Sequence, residues 1–139
     1  MQIKGNSGSI TVQYLFSSVV IKMDRYNAYF KKKELIELKN FLSDCLREIK
    51  SKDKNKKMVS DWIKERIDSF GNPIQSPKMK VRIETQNRRE GNIRPPADIR
   101  LPLVGEKKIH LGIEDISCFV RQIKDVLLEI RLEEKAKQK

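Results

Sequence analysis

A chain of 139 residues with 38% hydrophobic residues has room for one domain and a core that needs neither metal nor disulfide. Lys+Arg 30 against Asp+Glu 19 give a net charge of +11, a field that favours polyanionic partners and points to nucleic acid before any other class. No run approaches the ~20 apolar residues of a membrane span, Met1 to Ile10 lacks a signal-peptide core, and Cys45 and Cys118 show neither metal nor disulfide spacing; an intracellular protein without a cofactor is expected.

Met1 to Gly8, with Gly5, Asn6, Ser7 and Gly8 in succession, reads as a turn or loose arm, with order beginning after it. Ile10, Val12, Tyr14 and Phe16 then alternate with Thr11 and Gln13, as in a half-buried strand. Val19 to Met23 is rich in β-branched residues, and Asp24 to Asn27 suits a turn before Ala28-Tyr29-Phe30, so two or three short strands are predicted. From Lys33 the period changes: Leu35, Leu38, Leu42, Cys45, Leu46 and Ile49 form one helical stripe.

Lys50 to Lys57 is a charge run without an apolar anchor and reads as a connector. Ser60 suits the N-cap of a second helix carrying Trp62, Ile63, Ile67 and Phe70, whose aromatic face packs on the domain and whose stop is Gly71. Asn72 to Pro77 is extended, because each proline biases the residue before it away from helix. Lys80 to Thr85 alternates, with Val81, Ile83 and Thr85 on one face and Lys80, Arg82 and Glu84 on the other. Gln86 to Ala97 reads as an exposed, arginine-rich loop; Ile99 to Leu103, interrupted by Pro102, as an edge strand; Lys108 to Leu111 as a further strand. A last helix is expected from about Ile113 to Glu133, followed by a fraying charged tail.

Sliding the first long helix by 81 positions pairs Leu35 with Ile116, Leu38 with Phe119, Leu42 with Ile123, Cys45 with Val126 and Ile49 with Ile130. Strands precede a helix in both places, so the fold class read from the sequence is α+β: antiparallel sheet backed by long helices. The chain reads as one domain of two pseudo-repeats, 9–50 and 78–132, joined by a charged connector and a helix over 51–77.

This order of elements resembles the Pur-alpha and Whirly group of single-stranded nucleic-acid-binding proteins, and the carboxyl half, KKIHLGIEDISCFVRQIKDVLLEI, resembles the strand-into-helix end of positive cofactor four. The resemblance implies single-strand binding on a sheet face or along β-loops, with dimerisation through helices. The chain departs from that family in three ways: fewer than four clear strands per repeat, the Trp62-bearing helix, and the loop broken by Pro95-Pro96.

The candidate nucleic-acid-binding residues form two groups. Lys78, Lys80, Arg82, Arg88, Arg89, Arg94 and Arg100 crowd the second basic stretch with Asn87, where guanidinium and ammonium groups can displace counterions from a phosphate backbone. Lys22, Arg25, Tyr26 and Tyr29 mix cations with aromatics; for the two tyrosines base stacking competes with core packing, while Tyr14 and Phe30 read as core. Two alternatives remain open. One is an assembly factor in which the last helix pairs with a second copy, making a homodimer. The other is a metal-dependent nuclease using Asp98 and Glu106-Lys107-Lys108, set against the leading expectation of a non-enzymatic binding protein.

Overall fold

Four strands and a helix, in that order, occur twice along the chain. The computed structural model describes residues 3–5, 8–15, 18–23, 26–49, 58–75, 78–85, 97–101 and 107–137. The first unit comprises β1 (Ile3–Gly5), β2 (Gly8–Leu15), β3 (Ser18–Met23), β4 (Tyr26–Phe30) and α1 (Lys32–Ile49). The second comprises β5 (Met58–Lys64), β6 (Met79–Thr85), β7 (Ala97–Leu101), β8 (Lys107–Leu111) and α2 (Ile113–Lys137). Each set of strands is an antiparallel sheet in sequence order, β1-β2-β3-β4 and β5-β6-β7-β8, so the fold is α+β as expected.

The offset that aligned the two helices extends into the strands before them. Phe30 to Leu111 and Lys32 to Ile113 are both 81 positions, so β4–α1 and β8–α2 correspond without an insertion. Burial follows the same correspondence: Leu35 and Ile116, Leu38 and Phe119, Leu42 and Ile123, and Cys45 and Val126 are all buried.

The helical stripes cross between units. Helix α2 lies against β1 and β2 of the first sheet as well as β8 of its own, α1 approaches β5 of the second sheet, and the helices pack on each other. One apolar cluster results, joining Ile10, Ile21 and Met23 to Leu35, Leu38, Met79, Ile83, Ile109 and Phe119. Burying a side chain of this size contributes about 1.5–3 kcal/mol before ordering entropy is charged. The Gln122 side-chain oxygen accepts the Val12 N–H at 3.3 Å, tying α2 to β2.

Four expectations from the sequence are corrected. Residues Ile3–Gly5, assigned to a loose arm, form β1 and pair with Gly8–Ile10, giving each unit four strands. The helix expected from Ser60 is instead β5, whose Trp62 and Asp61 pair with Val81 and Arg82; the second sheet therefore begins before the proline-rich stretch. β7 is interior rather than an edge strand, since Ala97–Leu101 pairs with β6 on one side and β8 on the other, while Pro102 and Leu103 lie outside the described residues. Finally, α2 continues past Glu133 to Lys137, aided by a Glu133–Lys137 ion pair at 3.2 Å. Lys50 to Lys57 and residues 86–96 lie outside the described residues.

Candidate nucleic-acid interface

Register sorts the polar residues of each sheet onto a face, since side chains alternate along a strand. In the first sheet Ile10, Val19, Ile21, Met23, Ala28 and Phe30 are buried, and the residues between them make the outer face. One row is Thr11, Lys22 and Asn27; the next is Gln13, Val20 and Tyr29; Lys4 and Ser9 pair at the β1 end. Lys22 and Asn27 are exposed and Tyr29 half-buried, while Val20 is covered between its neighbours. Among the described side chains of this face there is no carboxylate: hydroxyls, amides, Val20, one tyrosine ring and the Lys22 ammonium occupy it.

Lys22 and Tyr29 are therefore brought to one surface in adjacent rows. Tyr26 is the register partner of Met23, and its side chain lies outside the described ones. Arg25 lies outside the described residues.

The outer face of the second sheet has a different charge pattern. Ile63, Lys80, Arg100 and Lys108 are successive partners across the strands, as are Asp61, Arg82, Asp98 and His110. The strands thus bring Lys80, Arg82 and Arg100 to neighbouring positions. Asp61 answers the first two, at 3.2 Å from Arg82 Nε and 4.0 Å from Lys80 Nζ. Lys78, just before β6, is 4.0 Å from Glu65 in an exposed pair. A cation already facing a carboxylate has less of its field to offer a phosphate. Asn87, Arg88, Arg89 and Arg94 lie outside the described residues, as does Glu106 of the nuclease alternative; no group of three potential metal ligands occurs among the described ones.

Between the sheets, Phe30 and Trp62 stack with centroids 6.1 Å apart and planes 7° from parallel, and the Lys64 ammonium sits 4.8 Å over the Phe30 ring. Trp62 is thus a packing anchor, as its size suggests. Burial pushes the Lys64 pKa down against the opposing pull of Glu34.

Phe70 is the residue whose role the sequence misjudged most. Expected on a helix face packed against the domain, it is 88% exposed on the turn after β5. Asp68 builds that turn: its Oδ1 accepts the N–H groups of Phe70 at 2.8 Å and Asn72 at 3.0 Å, and its carbonyl accepts Gly71 N–H at 3.1 Å. Gly71 takes φ +86°, the left-handed conformation its position suggested, in a turn rather than at a helix end. The spacing of Asp68 and Gly71 is the one sequence signal for this turn, and it carries no information on the exposure of the ring between them.

No family model, curated protein or solved structure matches the chain. Among the described residues no helix is long and apolar enough to cross a membrane.

Proposed function

We propose that this protein binds single-stranded nucleic acid, DNA or RNA, with little sequence specificity, on the outer face of its first sheet. The observation carrying the reading is the sheet face, without a carboxylate among its described residues, on which Tyr29 and Lys22 stand in adjacent rows. A tyrosine on an open sheet offers a stacking plane to any base, and a flanking lysine meets the phosphates. Thr11, Gln13 and Asn27 supply donors and acceptors to base edges or sugars. Lys80, Arg100 and Lys108, which are register partners, and the arginines between Gln86 and Ala97 in sequence add salt-sensitive attraction to the backbone. The resemblance to the Pur-alpha and Whirly group supports the same reading, because that group also sets single strands against sheets.

Fluorescence anisotropy with single-stranded and duplex oligonucleotides of equal length, at several salt concentrations, tests it. Tyr29→Ala is expected to weaken single-strand binding about 5- to 150-fold, the worth of one stacked base. Lys22→Ala should flatten the salt slope by about 0.7, one phosphate contact on a single strand. Undiminished binding by Tyr29→Ala, or equal affinity for duplex, would overturn the assignment.

A second reading, self-association through α2, rests on Leu128 and Leu132, 54% and 57% exposed and one turn apart.

A further inference from the structure

We propose that the single-strand platform ends in a nucleobase pocket, where one unstacked base is held between the rings of Tyr29 and Phe70. The inference rests on the single-strand reading and adds a site to it. A cavity of about 350 Å³ opens where β4 meets α1, lined by Tyr29, Lys31, Asp68, Phe70, Ile130 and Glu134 among others. That volume lies at the small end of the range for small-molecule sites, about 300–1,000 Å³. Tyr29 belongs both to the cavity and to the outer face, while Val19 and Phe30 of the inner face also line it, so the cavity opens at the β4 end of the sheet, where a strand crossing the outer face arrives.

The Phe70 ring is held in water by a rigid support. Besides the three bonds to Asp68, the Asp68 N–H donates to Asn72 O at 2.9 Å, Ile74 N–H donates to Arg66 O at 2.9 Å, and Ile67 bridges Pro73. Ser18 Oγ donates to Ser69 O at 3.3 Å, tying the turn to the first sheet. An exposed aromatic on a backbone already fixed loses little entropy when a partner covers it, which is the economy of a preorganised anchor.

The electrostatics select a base over a phosphate. Lys32 holds Glu134 at 2.9 Å, Lys137 holds Glu133 at 3.2 Å, and Asp68 adds a third carboxylate to the wall. With Lys31 the wall carries three cations and three carboxylates and offers a phosphate no net attraction, whereas a neutral heterocycle with hydrogen-bonding edges suits aromatic walls beside paired polar groups. The phosphates stay with Lys22 and the cations of the open face.

Oligonucleotides carrying a single abasic position, moved stepwise along the strand, test the pocket in the full chain. With the native protein, removing the base at one position should weaken binding about 5- to 150-fold more than at its neighbours. Phe70→Ala, which alters an exposed side chain and leaves the Asp68 turn bonds in place, should weaken binding of the intact strand by a similar factor and abolish that positional effect. Native affinity in Phe70→Ala, alongside weakened Tyr29→Ala and Lys22→Ala, would overturn the pocket and leave the platform standing. Failure of the native protein to bind any single strand would remove both.

Discussion

The Lys64 ammonium lies 3.4 Å from the Glu34 carboxylate, so the end of β5 in the second sheet is ion-paired to the first turn of α1 in the first unit. Lys64 also donates to Glu65 O at 2.6 Å, and Glu34 Oε1 accepts Lys31 N–H at 2.9 Å, closing the helix start. With its side chain 4% exposed, the lysine depends on that carboxylate.

Glu34→Gln keeps an oxygen for the Lys31 N–H but strands the buried charge. It should destabilise the fold by about 3 kcal/mol, the low end for breaking a buried pair, since Glu34 is 22% exposed. Adding Lys64→Met removes the stranded charge and should restore most of the loss. Urea unfolding of both variants checks this; an unrecovered double variant would show that the pair does more than compensate its own burial.

Cys45 gives the fold an alkaline limit. Burial, reinforced by Glu48, pushes its thiol from 9.0 to about 11. A pKa raised on folding means the native state keeps a proton that the unfolded chain releases. The contribution is whole below pH 9 and drains away as pH rises to about 11, a loss on the order of 2–3 kcal/mol. Lys64 acts oppositely, because its lowered pKa makes the native state easier to hold as pH climbs toward 10.5. The comparison is therefore between native protein and Cys45→Ala, which share the lysine: the variant should lose less stability from pH 8 to 11, and equal losses would refute the assignment.

Leu128→Glu with Leu132→Glu tests self-association. Both side chains are more than half exposed, so monomer stability should move by about 0.5 kcal/mol or less per site. Light scattering should report a dimer for native protein and a monomer for the variant. A native monomer across the accessible concentration range would remove the second reading.

Both long helices were legible because their apolar residues keep one period without a break. Leu35, Leu38, Leu42, Ile116, Phe119 and Ile123 are buried as that period requires. β5 was misread for a physical reason: its inner positions include Ser60 and Lys64, while its outer positions carry Val59 and Ile63, so the usual apolar-in, polar-out alternation is reversed at several points. A lysine can occupy an inner position here only because Glu34 and the Phe30 ring come from elsewhere in the chain. The cations of the second sheet were visible in the sequence, but their pairing with Asp61 was not, because Asp61 and Arg82 become neighbours only through β5–β6 register. Likewise, Lys22 and Tyr29 stand out individually in the sequence, whereas the absence of carboxylates among the described residues of their sheet face emerges only when three strands are laid side by side.

The crossing of helices between units has a consequence for synthesis. The strands of the first sheet have all been made once Phe30 leaves the ribosome, yet the helix that lies on β1 and β2 starts at Ile113. Ile10, Ile21 and Met23, which are fully buried in the finished protein, must wait for the carboxyl-terminal segment before their core is complete. A nascent chain in this interval exposes an unfinished apolar face, the state most prone to aggregation. Final closure is therefore delayed until α2 has been made, and the sequence from Lys50 to Lys57 adds five lysines whose mutual repulsion between chains opposes association during that wait.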